Sequence, residues 1–313
     1  MKQYKHIFGP VPSRRLGRSL GIDLIPYKTC SLNCIFCQLG CTNQQTIKRS
    51  EYVPVGDVLE EIAAWLETDG NADYITLSGS GEPTLHSRFG EIIEWIHQKT
   101  SIPVVLLTNG TTLYLPEVRD AACKANLIKI SLSAWDEDSF EQVNRPYQKL
   151  RFAQLVEGEK SLRTQFSGEL WLEVFILRGI NSLKADVKKI AELAKQIAPD
   201  RIHLNTAVRP PAEKFAVPVS TEQLETLAEL FDPRAEVIAE FSNDQSPEVQ
   251  ANENTILSMI QRRPCTAMQI AEVFGMHANE VSKYIGKLIR TGQIRADHKK
   301  GDIYYLDNNC SDV

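Results

Sequence analysis

No run of the chain approaches the roughly 18 uncharged apolar residues that a membrane-spanning helix requires. The opening residues, MKQYKHIFGPVPSRR, carry no apolar segment behind their lysines, so the expectation is a cytoplasmic protein with no membrane partner. Positive charge is not in excess either: 35 Lys and Arg stand against 40 Asp and Glu, a net charge of −5. No global basic field announces nucleic-acid binding, and any such role must rest on a local patch. The G-x4-G-K-[ST] loop and H-E-x2-H are both missing, which removes the support for P-loop nucleotide hydrolysis and for zinc-peptidase chemistry. SGSGEPT imitates part of a dinucleotide fingerprint through Gly79 and Gly81. Thr84, however, takes the place of the third glycine and Pro83 falls inside the phosphate loop, so a Rossmann dehydrogenase is not supported. Internal repeats and low-complexity tracts are absent. With 42% apolar and 24% charged residues, a disordered, collagen-like or coiled-coil chain is excluded.

What is present is 313 residues, enough for about two domains and for a core without disulfide staples. From about residue 20 to 206, apolar β-branched runs (LGIDLIP, YITLSG, PVVLLTNG, LIKISLS, LWLEVFIL, RIHLNTAV) alternate with helical stretches such as DVLEEIAAWLE, where Val58, Ile62 and Leu66 form one stripe. Near-continuous apolar strands joined by helices imply a parallel sheet, because such strands are buried on both faces and need crossovers. Six βα units are too few for a closed barrel. The predicted architecture is an α/β partial (β/α)6 barrel, with a curved doubly wound sheet as the alternative, and ligands outside the carboxyl ends of the strands. Polar and glycine-rich segments collect there: the cysteine cluster, GSGEP, TNG, SAWD, RGIN and VRPP follow strands one to six in turn.

Beyond these, residues 242–253 (SNDQSPEVQANE) have a linker's composition. ENTILSMIQRR, TAMQIAEVFG and HANEVSKYIGKLIRTG then predict three short helices with Gly275 at a turn, and QIRADHKKGDIYYL predicts a hairpin turning at Lys300 and Gly301. That layout is a winged helix-turn-helix. The expected domains are 1–241, a barrel with an N-terminal basic arm, a linker at 242–253, and the small module at 254–313. In the arm, residues 1–28, six basic side chains face one acidic one. It either holds a phosphate or carboxylate through arginine forks or packs as a solvated basic segment. The module is only weakly basic. Lys283, Lys287 and Arg290 fall at helical spacing where they either meet phosphates or remain solvated, and the module as a whole suits peptide or protein docking, nucleic acid or a structural role.

Seven cysteines are unevenly spread. Cys30, Cys34, Cys37 and Cys41 crowd into twelve residues, while Cys123, Cys265 and Cys310 stand alone. In a reducing compartment such crowding indicates metal or redox chemistry rather than disulfides. Cys30, Cys34 and Cys37 form C-x3-C-x2-C, and thiolates this close can converge on one iron–sulfur cluster, three ligands leaving one iron open. The alternative is a structural zinc with Cys41 as fourth ligand, but the second Cys or His pair usual in zinc knuckles is missing. Cys41 is otherwise a bystander.

With Phe36 just before its last cysteine, this spacing resembles the radical S-adenosylmethionine (SAM) superfamily, and the resemblance covers roughly residues 15 to 210. SGSGEP is similar to the family's GGE motif, with Ser80 replacing the first glycine. The resemblance implies a 4Fe-4S cluster on Cys30, Cys34 and Cys37. It implies SAM binding by Phe36, by Ser80, Gly81 and Glu82 near the methionine amino group, and by Thr108, Asn109, Ser131, Glu173 and Asn181 near the ribose and carboxylate. The activity it implies is reductive cleavage of SAM to a 5′-deoxyadenosyl radical that abstracts hydrogen from a substrate, fed by a low-potential flavodoxin or ferredoxin. GPVPSRRLG and SGEPTL further resemble a subgroup related to wyosine-synthesis enzymes, which act on a guanosine of tRNA. Those enzymes carry additional cysteines upstream, absent before Cys30 here, and none of this chain reads as their flavodoxin domain, so their substrate does not carry over. The expected substrate is macromolecular, a peptide or protein or an RNA, docked partly by the winged helix. A redox-sensing, DNA-binding iron–sulfur regulator is the alternative; such a sensor needs the cysteines but not a polar rim on six strand ends.

Overall fold

A computed structural model describes residues 4–13, 15–238, 252–262, 264–299 and 302–308. The chain opens with an antiparallel pair, β1 (Ile7–Ser13) and β2 (Gly17–Asp23). A long loop carrying the short strands β3 (Thr29–Cys30) and β4 (Gln44–Gln45) leads to α1 (Val55–Thr68). Alternation then sets in: β5 (Tyr74–Ser78), α2 (Phe89–Lys99), β6 (Val104–Leu107), α3 (Pro116–Ala122), β7 (Leu127–Ser131), α4 (Glu137–Asn144) and α5 (Phe152–Gln165). It continues through β8 (Glu169–Phe175), α6 (Lys184–Ile197), β9 (Arg201–Asn205), α7 (Thr221–Ala228) and β10 (Glu236–Val237).

These strands make one eight-stranded sheet in the order β1-β2-β5-β6-β7-β8-β9-β10. From β2 to β10 every neighbouring pair runs parallel. The six apolar runs of the sequence are the six central strands. β1 and β10 stand at opposite edges without pairing, so the sheet is open rather than a closed barrel. One face packs on the helices: Ile128, Ile130, Leu172 and Leu204 join Val58, Ile62, Ile93 and Ile190 in the main core. On the other face Val105, Leu127 and Trp171 form a small cluster with Leu16.

The N-terminal segment differs from the expected basic arm. Ile7–Ser13 is an edge strand with a bulge between Phe8 and Val11, and the Phe8 ring crosses over Gly21, which has no Cβ to obstruct it. Prolines are tolerated there because an edge strand need not donate on its outer side. They also break the alternation that would have revealed the strand. Arg14 lies outside the described residues, while Arg15 and Arg18 pair with Glu173 and Asp73 rather than facing an open anion site.

Residues 242–251 of the expected linker also lie outside the described residues. After them come α8 (Glu253–Arg262), β11 (Cys265–Thr266), α9 (Ala267–Phe274), α10 (Ala278–Arg290), β12 (Ile294–Lys299) and β13 (Asp302–Asp307). Thr266 and Gln269 close a capping box on α9, and Gly275 ends that helix at φ 62°, a left-handed conformation that glycine adopts without strain. The strands form a three-stranded antiparallel sheet, β11-β13-β12, over a separate core of Ile256, Ile270, Val281, Ile285 and Leu288. β12 and β13 flank the predicted hairpin turn at 300–301, which is itself outside the described residues. Among the described residues no helix is long and apolar enough to cross a membrane.

Candidate active site

Cys30, Cys34 and Cys37 lie on the loop between β2 and α1, at the carboxyl end of the sheet. Backbone from distant parts of the chain grips this loop. Asn33 N–H donates to Asn144 O at 3.0 Å, Ile35 N–H to Val143 O at 3.1 Å, and Tyr147 N–H to Ser31 O at 2.9 Å. Gln45 Nε2 reaches Arg145 O at 2.6 Å. Phe36 stacks on Phe175 with centroids 4.2 Å apart and 10° between planes, and Ile35 fills a seat made by Leu177, Ala207 and Ala216.

The three thiols are half-buried residues. Desolvation, reinforced by the nearby Glu82 carboxylate, pushes the Cys30 pKa up to about 12. Cys34 is raised by burial and by the charges of Cys30 and Cys37, against a hydrogen bond from Asn144. Cys37 is raised by burial, with the Leu39 backbone and Lys28 acting the other way. Such thiols do not ionise alone near neutral pH. They become anionic ligands when a bound cation compensates the charge.

Beside them Glu82 ties two strand ends together. Its Oε1 accepts from Thr84 N–H (3.1 Å), Thr84 Oγ1 (2.5 Å) and Thr108 Oγ1 (2.6 Å), and its Oε2 accepts from Asn109 N–H at 2.7 Å. Burial raises the carboxyl pKa and these donors oppose the rise. Asn109 in turn donates from Nδ2 to Ser31 Oγ (2.9 Å) and to Cys30 Sγ (3.5 Å), and accepts Thr111 on Oδ1. Gly81 presses on the cysteine loop: a Cβ there would collide with the Thr29 carbonyl oxygen. Ser80 donates from Oγ to Asp23 Oδ2 at 2.6 Å.

A sequence model of the Radical SAM superfamily matches residues 24–194, a span that holds all three thiols and Glu82. A UPF0026 protein of Methanocaldococcus jannaschii is 30% identical over 96% of this chain and 95% of its own length. The chain belongs to the radical SAM superfamily and to the UPF0026 proteins. A protein of Brachyspira hyodysenteriae named GTPase Obg is 37% identical over 97% of this chain, which spans only 45% of that protein. Among solved structures, a radical SAM methyltransferase from Sphaerobacter thermophilus shares the fold, with a TM-score of 0.55 at 17% identity, covering 73% of this chain and 68% of that one. The protein is therefore a radical SAM enzyme, a class that binds SAM.

The remaining residues predicted from the radical SAM resemblance separate into two groups. Ser131 stays half-exposed at the end of β7, in register with Glu173 of β8. Glu173 itself is held by Arg15 on Oε1 and by Lys129 Nζ at 2.8 Å on Oε2, with Asn205 Nδ2 at 3.4 Å. Burial alone would raise its pKa, but the two cations overcome this and hold the carboxyl well below its usual range. Asn181, expected near the ribose and carboxylate, is engaged by backbone groups. Fully buried, it donates to Ser133 O and Phe175 O and accepts from Leu177 N–H, so its amide closes the backbone after β8. Glu82 and Asn109 likewise turn their side chains inward, and Ser80 is buried with its N–H on Asp23 Oδ1 and its carbonyl on Lys28 N–H, which leaves Gly79, Gly81 and Ser131 as the half-exposed positions of the rim.

Three thiols held on one irregular loop are the soft donor set that an iron–sulfur cluster takes. Sequence reasoning missed Asn144, which donates to Cys34 Sγ at 3.3 Å, and missed Asp23 and Lys129, while Arg15 of the basic arm meets a carboxylate of the chain itself, Glu173. A signal existed for Lys129 alone, as a single charge inside the apolar run LIKIS. A cleft of about 1200 Å³ lies between the Thr206–Glu222 segment and the C-terminal sheet, where Arg209, Lys214, Asp297 and Tyr304 line it, and its Ala207 and Ala216 side backs onto Ile35 of the cysteine loop.

Proposed function

We propose that Cys30, Cys34 and Cys37 ligate a 4Fe-4S cluster with one iron open to SAM, and that the enzyme uses the resulting radical on a macromolecular substrate. When bound, the cluster supplies the electron that cleaves SAM to the 5′-deoxyadenosyl radical. The chain's own residues orient and shelter. Phe36, pinned on Phe175, fixes the loop; the Gly81 backbone offers groups to the methionine end while Ser80 holds that turn on Asp23; Thr108 and Asn109 act through Glu82; Ser131 and the Glu173 network face the nucleoside side. The observation that carries the reading is the Glu82 hub beside Cys30, which ties the ends of β5 and β6 together next to the cysteine loop, an arrangement that a thiol-based sensor does not require. A reducing cytoplasmic setting, where thiols stay free to bind iron, belongs to the same proposal, as does a low-potential flavodoxin or ferredoxin donor.

Residues 254–313 are proposed to be a winged helix-turn-helix domain, after a barrel domain at 1–241 and a linker at 242–253. Its element order and hairpin support that reading, and its role is to dock a peptide or protein, or an RNA, beside the barrel mouth. The alternative of a DNA-binding regulator loses ground because Lys287, central to the basic stripe of α10, is paired with Glu253. Relation to the wyosine-synthesis subgroup is part of the proposal and brings no substrate with it. The test is anaerobic incubation of reconstituted protein with dithionite and SAM. Production of 5′-deoxyadenosine well above a cluster-free control is expected; none from a fully loaded protein counts against the enzyme reading.

A further inference from the structure

Two of the three thiols receive side-chain amides. Asn144 Nδ2 lies 3.3 Å from Cys34 Sγ and Asn109 Nδ2 lies 3.5 Å from Cys30 Sγ, while Cys37 meets the Leu39 backbone and the Lys28 charge instead. Resting on the three-cysteine cluster proposed above, we infer that Asn144, assisted by Asn109, is a positioning residue that raises the reduction potential of that cluster by donating N–H···S bonds to its ligands.

A metal-bound thiolate has no proton and can only accept, so an amide at this distance presents its NH2 side. Adding an electron to an iron–sulfur cluster increases the negative charge on its sulfurs, and hydrogen bonds to those sulfurs stabilise the reduced form more than the oxidised one. The amides are held independently of any metal. Asn144 ends α4, its own carbonyl accepts from Asn33 N–H, and the preceding Val143 carbonyl accepts from Ile35 N–H, so the root of the side chain is stitched to the cysteine loop. The rest of the Asn109 amide is occupied by Ser31 and Thr111. Asn144 is buried, and among the described residues the bond to Cys34 is the one hydrogen bond its side chain makes. A buried amide directed at a ligand sulfur is more than a packing element.

The test is a redox titration of the reconstituted full-length protein, wild type against Asn144→Leu, followed by the electron paramagnetic resonance of the reduced cluster. Leucine keeps the volume and removes the donor. At the wild-type midpoint, the ratio of reduced to oxidised cluster should fall on the order of tenfold in the variant, which for a one-electron couple corresponds to about 59 mV. An unchanged midpoint at equal iron content overturns the inference. Should the variant load no iron, wild-type protein labelled with 15N-asparagine decides: a weakly coupled 15N at the reduced cluster supports the bond, and its absence refutes it. Wild-type protein that takes up no iron overturns the cluster reading, and this inference with it.

Discussion

Replacing Cys30, Cys34 or Cys37 by alanine is expected to reduce bound iron and visible absorption to background and to abolish 5′-deoxyadenosine formation, whereas Cys41→Ala retains both. Each of the three sulfurs sits in surroundings too poorly hydrated to carry its own charge, with Cys30 pushed up to about 12, so assembly depends on all three charges being met by iron together. Two thiolates leave two irons without a protein ligand, and soft anionic ligands are what hold such clusters. Cys41 lies close enough to Cys37 for their charges to interact, which makes it the natural candidate for a fourth ligand and the right control. It stands beyond the turn that Gly40 N–H closes on Cys37 O, outside the C-x3-C-x2-C spacing. Iron quantitation of the four variants settles the matter, and loss of iron in Cys41→Ala refutes the three-ligand site.

Glu173→Ala should destabilise the fold by about 3–5 kcal/mol, the usual consequence of removing one partner from a buried ion pair. The Arg15, Lys129 and Glu173 side chains are only 19%, 9% and 16% exposed, so solvent cannot take over the role of the lost carboxylate. Two cations from different parts of the chain would then face each other with no carboxylate between them. The sign of the pH effect follows from the depressed pKa of Glu173. Its contribution is fully present above about pH 4.5, the value of an unfolded carboxyl, and is lost as pH falls from there through the lower folded value. Urea denaturation at pH 7 and at a series of acidic pH values measures both effects. A variant that unfolds within 1 kcal/mol of wild type at pH 7 contradicts the assignment.

The sheet was readable in the sequence because parallel strands are covered on both faces and leave unbroken apolar runs, as in YITLS and LWLEVF. β1 was not, since Gly9, Pro10 and Pro12 interrupt it and an edge strand tolerates them. β3, β4, β10 and β11 span two residues each and have no period to detect. At the site, local motifs were visible: three cysteines, SGSGEP and TNG each lie within a few residues. Long-range partners were invisible, because nothing near Cys34 points to Asn144, 110 residues away, or near Glu173 to Arg15, 158 residues away. Asn181 has a structural use that its neighbours in sequence do not reveal. A polar residue after a strand suggested a ligand, yet the backbone around β8 leaves unpaired groups there that its amide satisfies.

The most direct test of the account is the electron paramagnetic resonance spectrum of anaerobically reconstituted, dithionite-reduced protein, recorded with and without SAM. The account predicts the signal of one reduced 4Fe-4S cluster per chain, and a change in its g values when SAM is added, because SAM occupies the iron that no cysteine holds. A spectrum indifferent to SAM, or zinc found in place of iron, contradicts it.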